Sequence, residues 1–565
     1  MDNIRFLLVI AFAMISYMLW EAWQADYNPK PEVAISEQPT ITNSNEELPV
    51  AGNSQVKEVQ KNVEAVPEIE VSSDKIITVK TDVLILEIDA KGGTVLNLDL
   101  VQYPHDKENT IVNNMFSLVG LKPDEKDLSP IRLLDSKVEK LFLAQSGLMT
   151  SPGSSKAPDH HTVFSSEKAA YELAVGEDSL SVPLVWTDNK GLVVTKTFTF
   201  KRGSYDINVE QKINNNSSNT WSGRQYGQLL RIPYVDDKGN TFIRTFAGGV
   251  VYTEEEKYQK IDYDEMQDEN LNVATLGGWS AMVQHYFATA WVPPKDQQNH
   301  FYTKELKDWR YVIGSYSPEV TVQPRTEIVL NSHLFSGPKI QPMMEEIATG
   351  LELTVDYGWL TIFGKKIYWL LNKIHDYVGN WGWSILGVTL CIKLLFFPLT
   401  QASYRSMAKM RKIQPRLKDL KERFADDRQR FNTEMMAMYK KEKVNPMGGC
   451  LPMLVQIPVF ISLYWVLIET VEIRQADFAL WIQDLSARDP YFILPIIMGI
   501  TMKIQQSLNP APIDPLQAKI MKMFPIVFTV FFLFFPAGLV LYWVCNNTLS
   551  IIQQWFITKQ IEAEK

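Results

Sequence analysis

The stretch that decides the architecture is Tyr404–Trp465, YRSMAKMRKIQPRLKDLKERFADDRQRFNTEMMAMYKKEKVNPMGGCLPMLVQIPVFISLYW. Two solvents are written into it. Across Gln401–Gly448 there are 13 Lys/Arg and 6 Asp/Glu, a local net of +7, in a chain whose formal net charge is −9. The sequence then runs without a charged residue from Gly449 to Ile468. A basic loop abutting an apolar run of this length predicts a membrane span whose basic side stays in the cytoplasm. Within Gln401–Asn445 the Met, Ile, Leu and Phe residues recur at helical spacing, with Pro415 near the start, which predicts a cytoplasmic helical hairpin. The hairpin cations Arg411, Lys412, Arg416, Arg423, Arg428 and Arg430 fit a docking surface for nascent chains, ribosome or anionic lipid. A positive-inside topology signal selects the same residues, and both readings stand.

Working outward, five spans are expected at 381–399, 449–469, 491–508, 520–535 and 537–557. Several are close to the lower limit of about 17 helical residues for crossing a bilayer, so a locally thinned membrane is one consequence. Thr470–Pro490 carries only Arg474 and Arg488 as basic residues, so it belongs outside, and both termini then lie inside. At the start, Arg5 precedes the apolar run Phe6–Trp20, read as an uncleaved anchor (1–23); the aromatic-poor stretch 24–74 reads as a disordered tether. From 75 to 336 the runs KIITVKTDVLILEI, GLVVTKTFTFKRG, SYDINVEQKI and TEIVLNSHLF alternate between turn residues, predicting a large antiparallel β-sandwich outside the membrane. Residues 337–380 form the connection. There Phe363, Ile367, Leu370, Leu371 and Ile374 share a face, as in a helix lying in the membrane surface.

The same residues bound the chemistry. The three cysteines, Cys391, Cys450 and Cys545, sit in apolar stretches and give no disulfide framework, and the seven histidines are scattered without metal-ligand spacing. No GxxxxGK[ST] phosphate loop is present, and neither metal nor cofactor is expected. The polar residues inside the spans are more telling: Thr389 and Lys393, Gln456 and Ser462, then Tyr542, Asn546, Asn547 and Thr548. Lys393 lies ten residues beyond Trp383, about 15 Å into a hydrocarbon core roughly 30 Å thick. No Asp or Glu lies within the spans away from their ends, so a wet cavity accounts for the lysine better than an ion pair does.

Further marks are VDYGWL at 355–360, NWGWSI at 380–385, FALWIQDLSARDPYFILPIIMG at 478–499 and FPAGLVLYW at 535–543, with FLAQSGL, KTFTFKRG and GGWSAMVQHYFATAW in the β-rich part. Together with the loop quoted first, these resemble the YidC family of membrane protein insertases, in the branch with a large periplasmic domain. The resemblance implies a periplasmic supersandwich similar to sugar mutarotases, and a helical groove open to cytoplasm and lipid. It implies an insertase and chaperone of the bacterial inner membrane, not an enzyme, whose partners are nascent inner-membrane proteins, the Sec translocon and the ribosome, with no role for DNA. It matches Lys393 to the groove cation, usually Arg, and Thr389, Tyr542 and Trp543 to groove-lining positions; Gln456, Ser462 and Asn546 join them as polar residues of the spans. A Lys keeps the charge but loses the planar fork, so bidentate carboxylate recognition does not transfer.

Two other classes compete. A periplasmic sugar enzyme would draw its acid and base from His160, His161 or His285 with Tyr286, whose spacing names no reaction, and fold analogy does not carry function. A solute transporter would show matched repeats, which five unequal spans do not.

Overall fold

The computed structural model describes residues 75–107, 126–234, 245–424, 427–442, 451–509 and 515–563; the expected anchor and its tether lie outside them. The alternating runs form strands. Leu192–Lys201 and Asp206–Asn215 bury every second residue and pair antiparallel, with Phe200 opposite Ile207. Thr326–Pro338 adds on the other side, placing Leu334 opposite Ile207. These strands belong to an eight-stranded sheet, and a second sheet has eleven strands. Leu86, Ile88, Leu98 and Phe142 of the larger sheet share one core with Phe198, Val209, Trp291 and Leu334 of the smaller. Stacking two half-apolar faces removes both from water, so period-two alternation becomes a sandwich. The sheets are antiparallel except where Ile76–Lys80 runs parallel to Ala170–Glu172, a pair separated by a long connection rather than a hairpin.

Helices α1 (Tyr263–Asp268) and α2 (Gln341–Ile347) accompany the sandwich. Then come α3 (Thr361–Val378), α4 (Trp381–Leu395), α5 (Phe397–Arg423), α6 (Arg428–Lys441), α7 (Leu451–Glu469), α8 (Ile493–Ser507), α9 (Pro515–Phe532) and α10 (Ala537–Ala563). Among the described residues no single helix is long and apolar enough to cross a membrane; α4 and α5 pass that test only together, bent by 66°. The bend falls at Phe396, earlier than the expected end at 399. Pro398 sits in the first turn of α5, where its missing N–H costs nothing, but it could not continue α4 without losing a hydrogen bond. Pro415, by contrast, stands inside α5 without ending it. Beyond the bend, Ile413 and Leu417 of α5 pack on Tyr439 of α6.

The apolar face expected of α3 is divided. Ile367 and Leu371 are buried in protein, whereas Phe363 is exposed beside Ile362, with Trp369 and Tyr377 also outward. The helix carries apolar residues on more than one face, and periodicity alone does not say which face meets protein. The outer surfaces of α8 and α9 are also apolar, with Ile496, Ile500, Ile504, Val527 and Phe531 exposed, an arrangement suited to lipid rather than water.

The sandwich is not joined to the helices through α3 alone. Lys339, one residue past Thr326–Pro338, pairs with Glu469 at the end of α7 at 3.2 Å, both side chains at most 4% exposed, and also donates to the Thr354 carbonyl. His285 Nε2 donates to the Ile468 carbonyl at 3.1 Å, and Arg474 donates to the Pro104 carbonyl at 2.7 Å. Tyr368 of α3 donates to Glu472 at 2.7 Å, and Lys107 pairs with Asp477 at 2.8 Å. Burial, with Lys339 nearby, pushes the His285 imidazole down to about 3, so the ring is neutral and its Nε2 proton is committed to this joint. His160, another candidate acid or base, is buried with its ring against the Tyr226 hydroxyl at 2.5 Å.

Candidate functional site

Lys393 is in the last turn of α4, and α4 packs against α10. Along α10 the residues Tyr542, Asn546, Ser550 and Gln554 recur every fourth position and are all buried. Spacing of four keeps them on one face of the helix, so they form a polar row inside an otherwise apolar packing layer. Lys393 Nζ donates to Ser550 Oγ at 2.7 Å, and Ser550 Oγ donates to the Asn546 carbonyl at 2.7 Å. From α7, Gln456 Nε2 donates to Asn546 Oδ1 and, at 3.4 Å, to the Tyr542 hydroxyl. Tyr404 of α5 donates to the Ser550 carbonyl at 3.4 Å. Four helices thus meet on one polar chain. Among the described residues no carboxylate pairs with Lys393, so its charge is met by neutral oxygen dipoles. A buried cation held only by dipoles is open to an incoming anion, which would gain more from it than a hydroxyl does.

The other expected residues are distributed around this chain. Thr389 is buried and donates to the Ile385 carbonyl one turn back at 2.7 Å, as hydroxyls in apolar helices do when no better acceptor is near. Ser462 does the same toward Pro458 at 2.8 Å and does not join the row. Trp543 lies against Phe460 and Phe532, with ring centroids at 5.0 and 5.8 Å, and its indole N–H has no partner among the described residues.

Comparison with known proteins gives the family of the chain. The family description "YidC periplasmic domain" matches residues 76–370, and "60Kd inner membrane protein" matches 373–564. Membrane protein insertase YidC of Methylococcus capsulatus is 51% identical over 563 residues, covering 100% of this chain and 99% of that protein. The chain belongs to the YidC family. The Nitrosococcus oceani relative, also named Membrane protein insertase YidC, is 47% identical over 567 residues and covers 100% of both proteins. A crystal structure of an active YidC insertase with its first transmembrane domain resolved has a TM-score of 0.36 and 16% identity, covering 85% of this chain and 92% of that one. YidC membership gives the chain an inner-membrane location, with the β-sandwich as its periplasmic domain.

Within this YidC-family frame, the basic residues of α5 and α6 have separate fates. Arg411 donates to the Leu508 carbonyl at 2.6 Å, tying α5 to the end of α8, and Arg416 pairs with Glu442 at 2.9 Å. Arg430 lies over the Phe424 ring at 5.4 Å. Lys412 and Arg423 point to solvent, and the Arg428 side chain lies outside the described residues. Three polar partners escaped the sequence reading: Ser550, Gln554 and Tyr404. The first two were accessible to it, because they extend the Tyr542–Asn546 spacing by one and two further turns. Tyr404 was not, since its role depends on the bend at Phe396 that brings α5 back toward α10.

Proposed function

We propose that the chain is a membrane protein insertase and chaperone for inner-membrane proteins, working alone or with the Sec translocon, and performing no bond chemistry. The carrying observation is Lys393, a buried cation bonded to a neutral hydroxyl on a polar row within apolar helices. In this reading five helices, α4 and α7–α10, form the membrane core behind an N-terminal anchor, both termini are cytoplasmic, and α5–α6 is the cytoplasmic hairpin that meets ribosome, nascent chain and anionic lipid. Polar parts of a substrate rest along Gln456, Tyr542, Asn546 and Lys393 while its apolar segment moves out against lipid. Thr389, Ser462 and Trp543 shape the same groove. The driving force is the partitioning of that segment, about 0.3–0.6 kcal/mol per central Leu, Ile, Phe or Val. Short helices favour the transfer: α4 and α8 have 15 residues each, about 22 Å against a hydrocarbon core of roughly 30 Å, so the bilayer thins locally.

The energetics of the cation make the reading testable. An acidic residue at mid-membrane costs about 2.5–3.5 kcal/mol, while opposite charges 4 Å apart attract by about 4 kcal/mol at an effective dielectric of 20. One cation therefore offsets most of the cost of one translocated Asp. The measurement is protease-protected insertion into liposomes of single-span substrates whose tails carry zero, one or two Asp residues. Wild type and Lys393→Arg should insert the neutral and singly acidic tails, Lys393→Met should slow the acidic tails selectively, and Lys393→Glu should be slower still. Equal insertion of all tails by wild type and Lys393→Met would remove the electrostatic role, and no insertion above empty liposomes would remove the insertase reading.

A further inference from the structure

Helices α8 and α9 run antiparallel: Gln506 donates to the Met521 carbonyl near the end of one and the start of the other, and Gly499 stands against Thr529 further along. Three lysines are exposed near the Gln506–Met521 end, Lys503 on α8 and Lys519 and Lys522 on α9. With Asp514 of the connection, which lies outside the described residues, they are the only charged residues from Ile493 to Phe534, a net of +2. All three stand on apolar, outward faces. Lys503 shares its face of α8 with the exposed Ile496, Ile500 and Ile504, and Lys519 and Lys522 share theirs of α9 with the exposed Met523, Ile526 and Val530. At about 100° per residue, Lys503 lies roughly 40–60° round α8 from Gly499 and Gln506, and Lys522 lies about 20° round α9 from Thr529 in the same sense. In an antiparallel pair, equal senses of rotation from the contact lead to the same side, so Lys503 and Lys522 flank one crevice. Counted from the Gln506–Met521 bond, their backbones differ in level by two residues, about 3 Å.

The neighbouring elements bring little negative charge to this crevice. Gln554 of α10 and Arg411 of α5 both donate to the Leu508 carbonyl, at 3.1 and 2.6 Å. Lys559 and Glu562 come more than a turn later along α10, the Glu562 side chain lying outside the described residues, and the first acidic residue of α5 is Asp419, eight positions after Arg411. None of the three lysines has an ion pair among the described residues. A lysine on an apolar helix face lays its methylenes along that face and carries its ammonium toward the headgroups. Two of them converging from adjacent helices suit one anionic headgroup phosphate. We propose that the crevice between Lys503 and Lys522, with Lys519 at its mouth, binds an anionic glycerophospholipid of the cytoplasmic leaflet, whose acyl chains cover Ile500, Ile504 and Met523. A soluble polyanion reaches Lys519 but meets apolar surface around Lys503, whereas an amphiphile satisfies both. The proposal rests on the reading above, that α8 and α9 span the membrane with this end toward the cytoplasm, and its site is separate from the α5–α6 hairpin.

The test uses the full chain in phosphatidylcholine nanodiscs doped with a phosphatidylglycerol or a phosphatidylcholine that carries a photoreactive group in its acyl chain, with labelled peptides mapped by mass spectrometry. Wild type should be labelled around Ile500–Ile504 and Met523–Val527 by the phosphatidylglycerol probe about tenfold more than by the phosphatidylcholine probe. Lys503→Gln and Lys522→Gln should each lower that preference about threefold, the double variant should abolish it, and Lys503→Arg/Lys522→Arg should keep it. These positions are exposed, and labelling elsewhere on the same molecules reports that each variant is folded in the disc. Equal labelling by the two probes in wild type overturns the proposal, as does a preference that the double Gln variant retains. A short single-stranded RNA that binds the lipid-free chain with the same dependence on Lys503 and Lys522 overturns it in favour of a nucleic-acid surface. The two readings fail differently: equal labelling of α8 and α9 by both probes sinks only this site, whereas labelling by neither sinks the membrane placement of these helices and the site with it.

Discussion

Lys339→Met removes the ammonium that faces Glu469 across the joint between the β-sandwich and α7. Both side chains are at most 4% exposed, so solvent screens little of the interaction. Breaking one partner of a buried pair costs about 3–5 kcal/mol, mainly because the remaining charge is left without its counterion. At 1.4 kcal/mol per factor of ten, the lower figure alone corresponds to an opening of the joint about a hundredfold more frequent. The readout is amide hydrogen exchange across Thr470–Gln475 in the full chain, where Ile473 and Arg474 donate backbone hydrogen bonds at 3.2 and 3.0 Å within the segment that the joint covers. Exchange there should accelerate about a hundredfold in Lys339→Met and in Glu469→Ala, with the strands far from the joint unchanged. The double variant Lys339→Met/Glu469→Leu should recover most of the protection, since an apolar pair of similar volume has no desolvation cost to offset. Acceleration of less than about threefold in the single variants would refute the claim that this pair holds the joint. A double variant as labile as the singles would refute the claim that the loss is electrostatic.

Two further expectations concern the sandwich and the outer loop. Lys196 is fully buried, donates to the Gly92 and Ser146 carbonyls at 2.7 and 2.8 Å, and is pushed down to about 7 by desolvation. Its unfolded value is higher, so between about pH 7 and 10 the unfolded chain binds the extra proton and stability rises with pH by about 1.4 kcal/mol per unit. Thermal midpoints of wild type over this range should climb relative to Lys196→Met, and parallel pH profiles would dismiss a buried neutral amine. At the start of α4, a Cβ on Gly382 would stand 2.0 Å from the Phe478 ring and 2.7 Å from its Cβ, so the ring cannot simply swing away. Gly382→Ala should destabilise the loop–α4 contact by about 1–3 kcal/mol, read as faster proteolysis at 474–484; unchanged cleavage would show that the contact yields freely.

What the sequence determined by itself follows from periodicity and charge, which are local. Alternation in Leu192–Lys201 and Asp206–Asn215 is enough to specify strands with one buried face, because a pleat exposes every second side chain to the same environment. The uncharged run entering α7 and the lone lysine of α4 are equally local, and they pointed to a polar site in the helices before any partner was known. The i+4 row through Tyr542 and Asn546 was half read, and its continuation to Ser550 and Gln554 was there to be followed. The tertiary structure decided everything that depends on contact between distant segments. Ser550 lies 157 residues from Lys393, and Glu469 lies 130 from Lys339; no window of sequence holds both members of either pair. The face of α3 that meets protein and the bend that returns Tyr404 to α10 were settled by neighbours competing for the same surface. His285 shows the difference most plainly: as a residue type it suggested acid–base chemistry, but packing stripped it of water and committed its proton to the Ile468 carbonyl, so its chemistry became that of a hinge pin between two domains.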